Sequence, residues 1–145
     1  MAKGKVSPEL IEQFKQIVGE KYVYTDKDKL EPYSHDEVTD PHYMKEPQVV
    51  VLPATTEEVS KVVKLCYEND TVMVPRAAGT GLAAGAVATF GGVIISIERM
   101  NKILEIDKDN MVCVSEAGVT TSVLQEAVQK EGLFYGGDPC SGDSC

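Results

Sequence analysis

A mixed helix-and-strand (α+β) fold is predicted by three observations: an amphipathic helix near the start, a strand–helix–strand unit in the middle, and two later strands split by a polar turn. Ser7-Pro8 opens the helix, because Ser accepts from a free backbone amide and Pro suits the first helical position. Leu10, Ile11, Phe14, Ile17 and Val18 recur on one face, and Gly19 ends the run. Lys21–Glu46 is polar and turn-rich and reads as a connector holding one short helix. Val49–Leu52, closed by Pro53, is an apolar run with the length of a buried strand. Thr55 and Glu58 then form a capping box, each satisfying the other's backbone amide. Val59, Val62, Val63 and Cys66 follow at helical spacing, Asn69-Asp70 stops the helix, and Thr71–Val74 begins a second strand. Such a unit implies a right-handed crossover between parallel strands.

Further along, Val93–Ile97 reads as a strand. Ile103–Ile106 and Met111–Val114 read as a hairpin turned by Asp107-Lys108-Asp109-Asn110. A last helix starts at Thr120 or Thr121, is expected to bury Val123, Leu124, Ala127 and Val128, and ends at Gly132. Gly136–Cys145 lacks a periodic apolar pattern, so the chain reads as stopping inside a larger domain. Residues 1–45 form the helix and connector of this division, and residues 46–145 its main part.

Composition narrows the function. With 43% hydrophobic and 26% charged residues the chain belongs with soluble globular proteins rather than disordered ones. A net charge of −9 argues against nucleic acid as a partner, since phosphate-backbone binding needs clustered Lys and Arg. No secretory signal is visible, because Glu12, Gln13 and Lys15 interrupt the first apolar stretch. Ala77–Ile97 carries no charge, yet its five glycines make it a poor membrane span. A cytoplasmic location is the resulting expectation. The four cysteines show no C-x-x-C pair: Cys66 and Cys113 read as core residues, and Cys140 and Cys145 have no His near them. His35, Asp36, Asp40 and His42 fit no standard metal spacing and read as a solvated loop.

The chemistry lies in Pro75–Ala86. A run of Gly and Ala directly after a strand lets backbone amides converge on one point as an anion-binding nest. Thr80 adds a hydroxyl donor, and Arg76 is the one charged residue between Thr71 and Ile97. This chemistry suits a diphosphate. A tight loop serving only packing is the plain alternative. A nicotinamide-type fingerprint, suggested by Glu98 at a strand end, disagrees with the spacing, since Gly79, Gly81 and Gly85 give G-x-G-x-x-x-G rather than G-x-G-x-x-G. A phosphate loop of the Gly-Lys-Ser/Thr type lacks its ending.

The order P-R-x-x-G-T-G-L-x-x-G-A (residues 75–86), then G-G-V-I-I-S (91–96), R-M-N-K-I-L-E-I-D (99–107), E-A-G-V (116–119) and D-P (138–139) resembles the FAD-linked 2-hydroxy-acid dehydrogenases. These include the flavin subunit of glycolate oxidase and the D-lactate dehydrogenases of the vanillyl-alcohol-oxidase/p-cresol-methylhydroxylase superfamily, and the resemblance covers roughly residues 30–145. It implies a p-cresol-methylhydroxylase-type FAD-binding domain of two α+β subdomains, of which this chain holds the first and the start of the second. It also implies a parent enzyme that oxidises a small 2-hydroxy acid, with an electron-transfer flavoprotein or an iron–sulfur subunit as partner. The catalytic residues would lie beyond residue 145, so catalysis by the chain alone is not expected. Arg76, Ala77, Ala78, Gly79, Thr80, Gly81, Gly85 and Ala86 would line the diphosphate, mainly through their backbone, while Pro139, Ser141 and Ser144 would approach the flavin. Ala77 and Ala84 stand where the family usually has glycine. With no His in the loop, the resemblance implies non-covalent FAD. The competing class is a stand-alone nucleotide-binding or interaction module without catalysis.

Overall fold

The computed structural model describes residues 5–38, 40–137, 139 and 142. Its main sheet has four strands in the order β1-β2-β4-β3: β1 (Val23–Tyr24), β2 (Val49–Val51), β3 (Met73–Arg76) and β4 (Val93–Ser96). β4 runs parallel to both neighbours, with Ile94 opposite Val50 and Val74, while β1 pairs antiparallel with β2. Flanked on both edges and covered on both faces, β4 is buried at every residue, which its Val-Ile-Ile-Ser sequence allows.

Side chains alternate across the sheet. Val49, Val51, Val93 and Ile95 meet Leu10, Phe14 and Val18 of helix α1 (Pro8–Val18) and Val62 and Cys66 of helix α3 (Thr56–Glu68). Val50, Leu52 and Ile94 face the other way, onto Leu30 of the short helix α2 (Lys27–Leu30) and Ala88. The opening helix thus shares its core with the elements after residue 46, and Ala88 presses the far end of the glycine-rich segment onto the sheet.

Local signals account for the helices. Ser7 Oγ accepts from Leu10 N–H, Pro8 fills the first helical position, and Gly19, at φ +91°, donates to the Lys15 carbonyl. Thr55 Oγ1 accepts from Glu58 N–H as expected. The Glu58 carboxylate, however, reaches one residue further back and accepts from Ala54 N–H at 2.7 Å.

Several elements differ from expectation. The connector contains β1, α2 and three-residue 3-10 turns at Glu20–Tyr22, Glu31–Tyr33 and Pro41–Tyr43, pieces too short for periodicity to register. The second strand begins at Met73 rather than Thr71, because Asp70, at φ +47°, and Thr71, donating to the Cys66 carbonyl, close the end of α3. It therefore runs through Pro75 to Arg76. Proline is tolerated there because β3 is the last strand in the order. β2 and β3 are parallel but not adjacent, since β4 lies between them.

A second, two-stranded sheet follows: β5 (Ile103–Asp107) and β6 (Val112–Ser115), antiparallel, with Met111 taken into the turn at φ +55°. Asp107 shapes that turn by accepting from the Asn110 backbone and side chain. Helix α4 (Thr121–Lys130) buries Val128 but not the full expected face, and Val123 is 48% exposed. Val123 lies along a cleft, while Leu104, Val112 and Val114 of the hairpin are also exposed.

Candidate functional site

The segments after β4 and before α4 are stitched together. Met100 N–H donates to Ile97 O, Gly118 N–H donates to Met100 O, and Glu116 N–H donates to Lys102 O, while the Glu116 carboxylate accepts from Lys102 N–H. A Cβ on Gly118 would stand 2.8 Å from the Met100 carbonyl and overlap that of Ile97. Only glycine lets the two backbones approach so closely.

This contact forms one wall of a cleft of about 570 Å³. Ala77 and Ala78 after β3, the polar pair Tyr33 and Glu98, and Thr120 and Val123 at the start of α4 also line it. Thr120 caps α4 by position but gives no side-chain hydrogen bond to it. Partial positive charge at such a helix start favours an anion. Among the described residues, the amides of Ala77, Ala78, Gly79, Thr80 and Gly81 donate to no other protein group. The cleft thus offers the unengaged amides of Ala77 and Ala78, small side chains and little competing charge apart from Glu98, and the other three amides follow along the loop.

Arg76 departs from the role of a free cation. It is buried, and its guanidinium donates from Nη1 to His35 O at 2.8 Å and Ala86 O at 3.2 Å, and from Nη2 to Pro32 O at 3.2 Å. It also lies 5.5 Å from the centre of the Tyr33 ring. Burial pushes its pKa down, while Tyr33, Asp36 and Glu98 push it back up; a guanidinium stays charged in such surroundings. Tyr33 donates its hydroxyl to Glu98 at 2.7 Å, and burial first, then that hydrogen bond, holds the phenol well above its ordinary range. It is a fixed donor rather than an acid–base group.

The predicted site residues are distributed unevenly. Arg76, Ala77 and Ala78 line the cleft. Gly79, at φ +74°, and Thr80 follow directly, half-buried. Gly81 and Gly85 are exposed further round the loop, and Gly81 O accepts from Glu37 N–H. Ala86 is half-buried and gives its carbonyl to Arg76. Ala84, in place of the family's glycine, takes φ +55°, a left-handed conformation that alanine adopts at a cost of about 1–2 kcal/mol. Pro139 is exposed, and its carbonyl accepts from Gly142 N–H. Ser141 and Ser144 lie outside the described residues. Tyr33, Glu98, Asn101 and the Ala117–Thr120 segment complete the cleft; none is among the residues expected to bind the cofactor, although the sequence offers Gly118 as a border of the site or a turn and Asn101 as a strand-closing residue or a cofactor contact. The pattern E-A-G-V pointed toward the Ala117–Thr120 segment. Among the described residues no group of His, Cys, Asp and Glu could hold a metal ion, and no described helix is long and apolar enough to cross a membrane.

A site of this kind belongs to domains that receive a phosphate-bearing cofactor on backbone amides. Residues 47–145 match the model of the FAD binding domain family, and the chain belongs to that family. It is 44% identical over 137 residues to D-lactate dehydrogenase of Anaerostipes hadrus, covering 94% of this chain and 28% of that protein. It is 39% identical over 109 residues to glycolate oxidase subunit GlcD of Bacillus subtilis (strain 168), covering 75% and 23%. The solved structure of p-cresol methylhydroxylase with substrate bound matches with a TM-score of 0.77 at 27% identity, over 86% of this chain and 25% of that one. The expected p-cresol-methylhydroxylase-type fold is therefore present, in a chain spanning about a quarter of the length of the relatives it matches.

Proposed function

We propose that this chain forms the opening part of the FAD-binding domain of an enzyme that oxidises a small 2-hydroxy acid of the glycolate or D-lactate type. The observation that carries the reading is a run of amides, Ala77–Gly81, that donate to no group among the described residues as the chain leaves β3, the first two of them lining one cleft with the start of α4. Two negative charges of a diphosphate fit there without any cation having to be recruited. Ala77, Ala78, Gly79, Thr80 and Gly81 hold the diphosphate, Gly85 and Ala86 complete the turn around it, and Pro139, Ser141 and Ser144 approach the flavin side. The flavin, when bound, accepts the hydride equivalent; the protein contributes position and electrostatics. The Tyr33 hydroxyl, held by the Glu98 carboxylate at 2.7 Å, gives the cleft a fixed polar pair that can order a polar group of the cofactor. Attachment is non-covalent in this reading, which the lack of His in Pro75–Ala86 supports. Electrons leave to an electron-transfer flavoprotein or an iron–sulfur subunit, in the cytoplasm.

The substrate half of this reading is tested on a polypeptide of the relatives' full length. Anaerobic addition of glycolate or D-lactate is expected to bleach the bound flavin. A flavin that stays oxidised with both, and with other 2-hydroxy acids, contradicts the substrate class.

A further inference from the structure

The geometry points to Arg76 as a positioning residue, around whose guanidinium the glycine-rich loop is wound so that its amides are held for the diphosphate without Arg76 touching it. Its three carbonyl partners lie on two separate stretches of chain: Pro32 and His35 before the sheet is complete, and Ala86 at the loop's far end. A single side chain thus ties the end of β3 to both. Gly79 sits between, against the guanidinium, where an added Cβ would lie 2.5 Å from Cζ and 3.0 Å from Nη1. The close approach that glycine permits here is toward Arg76 of the same chain, in addition to any toward a ligand. Asp36 completes the cluster. It is buried at 7% exposure, and one carboxylate oxygen accepts from Val38 N–H at 3.0 Å. The other, among the described residues, has no hydrogen-bond partner and lies 3.9 Å from where a Gly81 Cβ would stand. Its charge balances Arg76, and the neighbouring Glu37 N–H pins Gly81 O at 3.1 Å.

The alternative is that Arg76 supplies positive charge to the diphosphate. The two roles differ in what lysine can replace. A planar fork places donors at Nη1 and Nη2 together, whereas one ammonium nitrogen occupies a single point and keeps the charge.

The proposal rests on the FAD reading above, and the experiment separates the two. FAD affinity is measured for the 145-residue chain and for Arg76→Lys, Arg76→Ala, Gly79→Ala and the double variant Arg76→Ala/Gly79→Ala, with circular dichroism confirming that each is folded. Backbone order of residues 77–86 is measured in parallel by ¹⁵N relaxation in FAD-free samples. Arg76→Lys is expected to lose affinity by roughly tenfold or more, no less than Arg76→Ala, because several charge-assisted hydrogen bonds go together. Gly79→Ala is expected to cost a smaller factor in the Arg76→Ala background than in the wild type, because the clash partner is gone. Arg76→Lys binding within about twofold of wild type overturns the proposal in favour of a charge contact, and so does an equal Gly79→Ala penalty in both backgrounds. If the wild-type chain binds no FAD, the FAD reading fails separately, and the relaxation data decide alone: disorder of 77–86 in Arg76→Lys supports the clamp, and unchanged order overturns it.

Discussion

Gly92 stands at φ +93°, and a Cβ there would overlap the Val72 carbonyl oxygen and lie 2.9 Å from its carbon. The backbone must pass at this point for Val93 N–H to donate to Val72 O at 2.9 Å and start β4. Gly92→Ala is therefore expected to cost about 2–3 kcal/mol, from left-handed strain plus the clash; a urea midpoint unchanged from wild type would contradict this. Tyr33 gives a pH-dependent test. In the unfolded chain the phenol ionises near 10.0, while in the folded chain burial and Glu98 hold the proton to higher pH. Its contribution is complete below about pH 10 and is lost as pH rises from there toward the folded value. Tyr33→Phe is expected to flatten the alkaline fall in stability, seen as a wild-type-minus-variant difference in urea midpoint that shrinks between about pH 9 and pH 11. A difference independent of pH would show that the phenol is not held protonated by the fold. At this scale the sequence exposed which residues were unusual but not what they touch. Gly79 and Arg76 were legible as a glycine and a cation in a loop. The three carbonyls that occupy Arg76, and the pairing of Tyr33 with Glu98 across 65 positions, arise only when the chain is folded.

Helices α1 and α3 were legible because their signals are local: caps, and apolar residues every third or fourth position on one face. Both pack on the same side of the sheet, and Cys66 sits at the centre of that contact with no exposed surface. Burial pushes its thiol from 9.0 up to about 11. Because thiolate is the reactive form, Cys66 should resist alkylation at pH 8 while the chain is folded and react only under denaturant, with half-buried Cys113 as the internal comparison. Mass mapping of labelled peptides checks this, and rapid native labelling of Cys66 would contradict the α3 packing. β1 escaped notice because two residues carry no period, and its place is set by pairing with β2. The expected apolar face of α4 was over-read. Periodicity identifies a stripe, but whether a stripe is buried depends on the width of what lies opposite.

For the molecule as a whole, the proposed function rests on how the two sheets are joined. The stitch between Ile97–Lys102 and Glu116–Gly118 brings the start of α4 to the same cleft as the loop leaving β3. Neither half forms the site alone. The loop supplies amides, the helix supplies the end of its dipole, and Tyr33 with Glu98 supplies a polar pair. The loop was readable from its composition, because few other demands call for so many Gly and Ala after a strand. The α4 side was readable only as a short family-like pattern, since nothing local marks Ala117–Thr120 as sharing a cleft with residues 40 positions earlier. The claim that these parts together hold FAD is tested most directly by calorimetric titration of the 145-residue chain with FAD, with FMN and NAD as controls. Saturable heat with FAD, and none with FMN or NAD at the same concentrations, is the expected result. No saturable binding of FAD, or binding of NAD in preference to it, would contradict the account.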